Sequence, residues 1–206
     1  YNEEKVIEAS IDEIVTHLGK MKLRWELILV DDGSRDRTVE LIEKLPQSNI
    51  KLLRNEKNRG KGRAVKIGAL EASGQHILFT DADLSAPFSQ FSVFYLERQS
   101  DIVIASRRLP DSLVETSFMK SFSGEIASKI IRTCFLPGIF DTQCGFKLFK
   151  GEVLKELVLS QYLERWGFDV ELLFLARLRR YNIVELPITW THNYDSKVSA
   201  IDYLAT

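Results

Sequence analysis

Apolar residues along the first half of the chain alternate between two spacings. Between Glu3 and Lys20 they recur every three or four positions, the spacing of a helix with one buried face. Trp25 to Val30 and His76 to Thr80 are short apolar runs, which are typical of buried strands. The same spacings predict helices over 38–45, 60–72 and 91–98, and strands over 50–53 and 102–105. Strands and helices in alternation predict an α/β fold with a mostly parallel sheet flanked by helices.

The second half of the chain alternates less regularly. The spacing predicts an amphipathic helix over 117–135, a short strand over 145–150 and a helix over 168–179. A further strand is predicted over 183–190, at a sheet edge because Pro187 cannot donate a ladder hydrogen bond. The sequence has neither repeats nor linkers nor low-complexity segments, so we expect one domain over residues 1–206.

Composition and charge exclude several classes of protein. The 28 Lys and Arg nearly balance the 29 Asp and Glu, and a net charge of −1 argues against a nucleic-acid partner. An apolar content of 45% argues against intrinsic disorder. The cysteines, Cys134 and Cys144, are too few for a disulfide framework or a zinc site, so we expect a reducing compartment. No apolar run approaches the roughly 18 residues of a membrane span, so we expect a soluble chain.

Polar clusters follow three of the predicted strands directly. They are Asp31-Asp32, Asp81-Ala82-Asp83 and Ser106-Arg107-Arg108. Ligands of parallel α/β sheets bind at the carboxyl ends of the strands. The three clusters therefore indicate one site at one edge of the sheet.

The acids in these clusters indicate a metal ion and a nucleotide. Asp81 and Asp83 are close enough to share a hard cation, Mg²⁺ or Mn²⁺, and the diphosphate bound to it. A solvated acidic turn is the alternative. The carboxylate of Asp31 or Asp32 could accept hydrogen bonds from a ribose or a base. The loop 58–62 begins a helix and offers backbone N–H groups and positive charge to an anion, although an exposed glycine turn is an equally simple interpretation.

The order of these motifs resembles that of family 2 glycosyltransferases of GT-A fold. Four segments carry this resemblance: Tyr1-Asn2-Glu3-Glu4, Val30 to Ser34, Asn58 to Gly62 and Asp81 to Asp83. Three more are similar to the polyprenyl-phosphate branch of the family, which includes dolichyl-phosphate β-glucosyltransferases and mannosyltransferases: Asp141 to Lys147, Arg165 to Leu172 and Ser196 to Val198. In the family a strand precedes the Tyr-Asn-Glu motif, so we expect that this first strand is missing from the sequence.

The resemblance implies inverting transfer of a hexose from a nucleotide-sugar to a polyprenyl or dolichyl phosphate, with Mg²⁺ or Mn²⁺ as cofactor. The segment from Asp141 to Lys147 is closer to the glucosyl members, which favours UDP-glucose over GDP-mannose, and a modified sugar stays open. The expected location is the cytoplasmic face of a membrane. The chain would bind there peripherally, through an anchor absent from this sequence, or through a membrane-anchored partner. An oligomer is also a possible state. The alternatives are a nucleotide-sugar-binding module without turnover and a nucleotidyltransferase.

Family roles carry over to this chain residue by residue. The nucleotide-sugar would contact Tyr1, Asn2, Glu3, Asp31, Asp32, Lys61 and Asp81, and the metal would bind Asp81 and Asp83. The candidates for the acceptor phosphate are Arg107 first, then Arg132, Lys147 and Lys197. Asp141 is the best candidate for a base or a sugar-positioning carboxylate, and Arg107 is the other catalytic candidate. A phosphate acceptor is largely a dianion at neutral pH and needs little help from a base.

Four further features carry their own expectations. Trp166 could stack on a sugar or prenyl group, or pack in the core. Asp169 and Glu171 are two residues apart on one predicted helix, so at most one of them faces the site. Residues 117–140 form a basic amphipathic stretch that could lie on an anionic membrane or cover the sheet. Cys144 is expected to be a small buried residue rather than a nucleophile.

Overall fold

The computed structural model of the protein describes residues 1–45, 48–115 and 135–191. The helices in these ranges are α1 (Ile7–Lys20), α2 (Thr38–Glu43), α3 (Lys61–Glu71), α4 (Phe91–Leu96), α5 (Gly151–Leu159) and α6 (Phe168–Leu178). The strands are β1 (Leu27–Asp31), β2 (Ile50–Arg54), β3 (His76–Thr80), β4 (Ile102–Ser106), β5 (Leu113–Glu115), β6 (Phe146–Lys150), β7 (Ile183–Pro187) and β8 (Thr189–Thr191). A short 3-10 turn, Phe88–Gln90, leads into α4.

The main sheet has four strands in the order β3-β6-β4-β7. β4 and β7 run parallel, with Ile104 opposite Glu185 and Ser106 opposite Pro187. β6 runs antiparallel to both of its neighbours, β3 and β4. Two parallel pairs, β1 with β2 and β5 with β8, complete the described strands. The predicted α/β class is confirmed, and β6 makes the sheet mixed.

The side chains of β4 alternate between two hydrophobic cores. Ile102 and Ile104 lie in a core with residues of α5 and α6, whereas Val103 and Ala105 lie in a core with residues of α4. All four side chains are at most 1% exposed. A strand that is buried on both faces is apolar at every position, and this explains the unbroken apolar run over 102–105. Helices on both faces thus fix β4, whose carboxyl end carries Arg107.

The apolar spacing placed the elements of the first half, α1 to α4 and β1 to β4, within a few residues. In the second half, β6 and α6 are also confirmed. The predicted strand over 183–190 is two strands that break after Pro187, and β7 lies at the predicted sheet edge. β5 and α5 were not predicted, although α5 buries residues at helical spacing: Val153, Leu154, Leu157 and Val158.

The predicted helix over 117–135 lies outside the described residues except at its last position. Across the described ranges, none of the helices combines the length and apolarity needed to cross a bilayer.

Candidate active site

The first residues of the chain lie against the turn that follows β1. The backbone N–H of Asn2 donates to the Oγ of Ser34 over 2.8 Å, and the Oδ1 of Asn2 accepts from the backbone N–H of Arg35 over 2.8 Å. The backbone N–H of Glu3 donates to the Oγ1 of Thr38, also over 2.8 Å. These bonds bring three predicted nucleotide-binding residues to the carboxyl end of β1: Tyr1, Asn2 and Glu3.

Asp31 and Asp32 are each 5% exposed, and both hold backbone turns in place. The two oxygens of Asp31 accept from the backbone N–H of Ser34 over 3.2 Å and 3.1 Å. The Asp32 carboxylate accepts from the side-chain amide of Asn55 over 2.7 Å and from the backbone N–H groups of Arg59-Gly60 over 3.0 Å and 2.7 Å. Asp32 therefore joins the end of β1 to the loop that begins α3. Its contact with a ribose or base stays a prediction, and its oxygens already accept three donors.

Two glycines allow these loops to approach each other closely. Gly33 and Gly60 have φ angles of 76° and 113°, which side chains rarely tolerate. A Cβ on Gly33 would lie 2.7 Å from the carbonyl carbon of Lys57, and one on Gly60 would lie 2.7 Å from the carbonyl oxygen of Glu164. Glycine at both positions is therefore required by backbone conformation and by space.

Lys61 begins α3 and forms an ion pair with Asp81, the residue that follows β3. The Lys61 side chain is 20% exposed and that of Asp81 is 39% exposed. Burial by itself would lower the pKa of Lys61, but the nearby carboxylates of Asp81 and Asp169 outweigh burial and raise the pKa above its usual range. The Nζ of Lys61 also lies 5.5 Å from the centre of the Trp166 ring. The site therefore holds a permanent positive charge beside the first predicted metal ligand.

The Asp81 carboxylate lies directly over Gly145. This glycine belongs to the segment from Asp141 to Lys147, and no role was predicted for it. The backbone N–H of Asp81 donates to the carbonyl oxygen of Gly145 over 3.2 Å. A Cβ on Gly145 would lie 2.0 Å from the Oδ2 of Asp81. A side chain at position 145 would displace this carboxylate, so the motif from 141 to 147 shapes the predicted metal site.

Asp83 closes the turn after β3. Its Oδ1 accepts from the backbone N–H of Ser85 and its Oδ2 from the Ser85 hydroxyl, each over 3.0 Å. Asp81 and Asp83 supply carboxylate oxygens, which suit Mg²⁺ or Mn²⁺. In the part of the chain that the structure describes, no group of three His, Cys, Asp or Glu could hold a metal ion. The residues fit a cation that takes one or two carboxylates and completes its shell with phosphate oxygens and water.

Arg107 and Asp141 form a bidentate ion pair at the end of β4. The Nε of Arg107 donates to Asp141 Oδ2 over 2.7 Å, and its Nη2 donates to Oδ1 over 3.0 Å. The backbone N–H of Arg107 donates to the same Oδ2 over 3.0 Å. Asp141 is buried, with 3% of its side chain exposed, whereas Arg107 keeps 31% exposed and lies 5.5 Å from the centre of the Trp190 ring. The pair thus presents a guanidinium at the edge of the sheet.

This pair bears on the two predicted roles of Asp141, a base and a sugar-positioning carboxylate, and both stay predictions. Burial by itself would raise the pKa of Asp141, but the hydrogen bonds and the charge of Arg107 outweigh burial and lower the pKa to about 2. A carboxylate with so low a pKa is a weak base at neutral pH. The geometry therefore favours a positioning role over that of a general base.

Lys147, which was predicted to bind the acceptor phosphate, lies beneath the site. Its side chain is 1% exposed, and its Nζ lies 2.5 Å from the Oδ1 of Asp169 and 2.5 Å from the carbonyl oxygen of Cys144. Direct contact with an acceptor phosphate does not fit this placement, because the ammonium points into the protein and already has two acceptors. The pairing was not predicted from the sequence because the acid, Asp169, lies on another element, α6.

Neither acid of α6 is free to serve as a base. Asp169 pairs with Lys147, while the carboxylate of Glu171 accepts from the backbone N–H groups of Tyr162 and Leu163, each over 2.8 Å. Cys144 is buried, as expected, and burial raises the pKa of its thiol to about 11. A thiol of this kind is not a nucleophile at neutral pH.

The loop before α6 packs on the start of α3, a contact that the sequence analysis did not anticipate. Two nitrogens of Arg59 donate to the carboxylate of Glu164 over 2.9 Å and 3.1 Å. The backbone N–H of Arg63 donates to the carbonyl oxygen of Glu164 over 2.9 Å. This packing carries Trp166 to Lys61, so the ring lies beside the site's ammonium.

The structure brings together Asp81, Lys61, Arg107 and Asp141, with the amino-terminal motif at the same edge of the fold. Two predicted acceptor-binding residues, Arg132 and Lys197, lie outside the described residues. Among the described residues, the assembled site has two partly buried cations, Lys61 and Arg107, each paired with an acid at a strand end or in a loop.

Sequence comparisons identify relatives along most of the chain. The model of the family described as Glycosyl transferase family 2 matches residues 1–158. The chain is 37% identical over 216 residues to the dolichyl-phosphate beta-glucosyltransferase of Dictyostelium discoideum, a match that covers 96% of this chain and 66% of the relative. It is 33% identical over 219 residues to the human dolichyl-phosphate beta-glucosyltransferase, covering 96% of this chain and 67% of the relative. The chain spans just under two thirds of the length of the Dictyostelium protein.

Solved structures share the fold. The glucosyl-3-phosphoglycerate synthase from Mycobacterium tuberculosis in complex with uridine diphosphate superposes with a TM-score of 0.70 at 19% identity, covering 98% of this chain and 71% of that chain. A mannosyltransferase from Pyrobaculum calidifontis in complex with GDP-mannose and Mn²⁺ superposes with a TM-score of 0.61 at 19% identity, covering 96% of this chain and 55% of that chain. These matches confirm the predicted GT-A fold.

Proposed function

Because the chain belongs to glycosyl transferase family 2, we propose that it transfers glucose from UDP-glucose to a polyprenyl phosphate such as dolichyl phosphate. Inversion at the anomeric carbon is part of this proposal. The observation that carries it is the Arg107–Asp141 pair, because it provides a fixed cation for an anionic acceptor and no general base. The names of the relatives, dolichyl-phosphate beta-glucosyltransferases, support the choice of sugar and acceptor.

In this proposal the donor lies along the edge formed by the amino-terminal motif, β1 and β3. The nucleoside lies near the predicted contacts Tyr1, Asn2, Glu3, Asp31 and Asp32. Its diphosphate lies near the charged ammonium of Lys61, the first residue of α3. Asp81 and Asp83 hold Mg²⁺ or Mn²⁺, which when bound neutralises charge on the departing diphosphate.

The acceptor phosphate needs a cation more than it needs a base. The second pKa of a phosphate monoester is near 6, so at neutral pH the acceptor carries an unprotonated oxygen that can attack. That oxygen forms a bond to the anomeric carbon while the bond from this carbon to the diphosphate breaks. Arg107 holds the acceptor for this displacement, and Asp141 keeps the guanidinium in one orientation.

The lipid acceptor places this reaction at a membrane. We propose that the chain works at the cytoplasmic face, bound peripherally or through an anchor or a membrane-bound partner. The basic residues predicted for the acceptor outside the described ranges, Arg132 and Lys197, belong to the same proposal.

Calorimetric titration of the chain with UDP-glucose and GDP-mannose, each with and without Mn²⁺, tests the donor. We expect binding of UDP-glucose that strengthens with Mn²⁺ and is lost in Asp83→Ala. Preference for GDP-mannose would move the proposal to mannosyl transfer. Binding of neither donor would contradict the proposal.

A further inference from the structure

A carboxylate on β7 contacts the loop that carries Asp141. Glu185 interrupts an otherwise apolar strand, and its position lies opposite Ile104 in β4. Its Oε1 accepts from the backbone N–H of Asp141 over 2.7 Å, and its Oε2 accepts from the backbone N–H of Phe140 over 2.9 Å. Glu185 therefore binds the backbone of the loop at the residue whose side chain holds Arg107.

Asp141 is fixed from two sides by these contacts. Its backbone N–H is held by Glu185, while its side chain accepts from the guanidinium and the backbone N–H of Arg107. Its Oδ1 also accepts from the backbone N–H of Gln143 over 3.2 Å. The connection runs from the edge strand β7 through the loop to the end of β4, so a shift of the loop would turn the guanidinium.

The chemistry of this contact suits positioning rather than proton transfer. Both oxygens of Glu185 accept from backbone N–H groups, and hydrogen bonds to an ionised acceptor are shorter and stronger than neutral ones. Such bonds fix a main-chain segment far more narrowly than the packing of an apolar side chain does. A valine or leucine at this position has no oxygen to accept these two N–H groups and would not hold the loop.

We propose that Glu185 is a positioning residue for the transfer reaction. It fixes the backbone of Phe140-Asp141, so that Asp141 presents the Arg107 guanidinium to the acceptor phosphate. This inference rests on the proposed function for the identity of the acceptor. The contacts of Glu185 with the loop and of Asp141 with Arg107 do not depend on which acceptor binds.

A double-mutant cycle tests the proposal by kinetics. We expect Glu185→Ala to lower kcat/KM for dolichyl phosphate at least tenfold and to leave the Kd of UDP-glucose within twofold. Glu185→Gln retains one accepting oxygen, so its loss should be smaller. In an Arg107→Ala background, Glu185→Ala should cause no further loss, because both residues act through one guanidinium. Glu152→Gln, which removes a carboxylate from the exposed surface of α5, serves as the control and should behave as wild type.

A spectroscopic measurement of proton exchange at Arg107 distinguishes a misoriented guanidinium from other causes of lost activity. The Nε–H of Arg107 donates to Asp141, so its proton should exchange slowly with water in the wild type. We expect faster exchange in Glu185→Gln and Glu185→Ala, with thermal unfolding recorded to show that each variant is folded. Glu185→Gln keeps the experiment decisive if the alanine variant does not fold.

Three results would overturn the proposal: additive losses in the cycle, an equal loss of donor affinity, or wild-type exchange at Arg107 in both Glu185 variants. Failure of the proposed function looks different. In that case the wild type binds UDP-glucose but does not glucosylate dolichyl phosphate, while exchange at Arg107 still reports whether Glu185 orients the guanidinium.

Discussion

The guanidinium of Arg107 is held by two parallel hydrogen bonds to Asp141, and nearly a third of its side chain stays exposed. Lysine keeps the charge but cannot form this fork. We expect Arg107→Lys to lower kcat/KM for the acceptor about ten- to hundredfold, since a hydrogen bond to a charged group contributes about 1.5–3 kcal/mol. The Kd of UDP-glucose should stay within twofold. Steady-state kinetics and titration measure the two quantities, and an unchanged acceptor kcat/KM would remove Arg107 from the acceptor site.

Asp141 should make the stability of the fold depend on pH at the acidic end. Its pKa in the folded protein is about 2, below the ordinary value of 3.8, so the ionised carboxylate stabilises the fold above about pH 4. This contribution, of order 2 kcal/mol, is lost as the pH falls through about 2. Asp141→Asn lacks it at every pH.

The measurement is the free energy of unfolding of wild type and Asp141→Asn in denaturant across the acidic range. We expect the difference between the two proteins to be largest near neutral pH and to shrink below about pH 4. A difference that stays constant with pH would show that the Arg107 pair does not lower the pKa of Asp141.

We expect Gly145 to affect the predicted metal site only because it lacks a Cβ. A Cβ at this position would lie 2.0 Å from the Oδ2 of Asp81, so the carboxylate must move in Gly145→Ala. The φ of Gly145 is not positive, and the backbone accepts alanine there. We expect Mn²⁺-dependent binding of UDP-glucose to weaken about tenfold or more, a loss of about 1.4 kcal/mol or more. Gly19→Ala on α1, where a Cβ meets nothing within 4 Å, is the matched control.

Titration of both glycine variants with UDP-glucose, with and without Mn²⁺, measures this effect. Thermal unfolding shows whether the fold is kept. Metal-dependent binding that is equal in Gly145→Ala and Gly19→Ala would separate Gly145 from the site.

Two secondary-structure elements are joined beneath the site by one buried ion pair. Lys147 on β6 and Asp169 on α6 are 1% and 2% exposed, with 2.5 Å between Nζ and Oδ1. Removing one partner leaves a buried charge without its counterion, so we expect Lys147→Met to lower the free energy of unfolding by about 3–5 kcal/mol. The double variant Lys147→Met with Asp169→Leu should recover much of this loss. Denaturant unfolding measures it, and a double variant no more stable than Lys147→Met would contradict this account of the pair.

At the scale of elements, the sequence predicted the positions of the strands along the chain better than their directions in the sheet. Strand ends placed Asp81 and Arg107 at one edge, because apolar runs and the polar residues that follow them are visible in the sequence. The antiparallel direction of β6 was not predictable, because an apolar strand has the same pattern in either direction. Lys147 was among the basic residues predicted to bind the acceptor, and its burial was not predictable because its counterion on α6 lies 22 positions away.

The pairing of Arg107 with Asp141 was only half predicted. Both residues were candidates, but their contact joins positions 34 apart through the sheet, and no local spacing reveals it. Glu185 was not among the site residues predicted from the sequence. A lone acid in an apolar strand was nevertheless a usable signal.

At the scale of the whole molecule, a net charge near zero does not indicate where the charged residues of the site lie. The net charge of −1 says nothing of the sheet edge where Lys61 and Arg107 lie. The order β3-β6-β4-β7 places the loop before β6 beside the end of β4, and this brings Asp141 to Arg107. In the proposed function, the donor edge and a cation for the acceptor therefore lie on one scaffold.

Glucosyl transfer to dolichyl phosphate tests the central claim most directly. Radiolabelled UDP-glucose and, in a parallel reaction, radiolabelled GDP-mannose are each incubated with dolichyl phosphate, Mn²⁺ and the protein. The lipid is extracted, and the anomeric configuration of the product is determined. We predict a β-linked glucosyl phospholipid, which forms with UDP-glucose but not with GDP-mannose and fails to form with Asp83→Ala. An α-linked product, a product formed only from GDP-mannose, or a protein that binds UDP-glucose and labels no lipid would contradict the account.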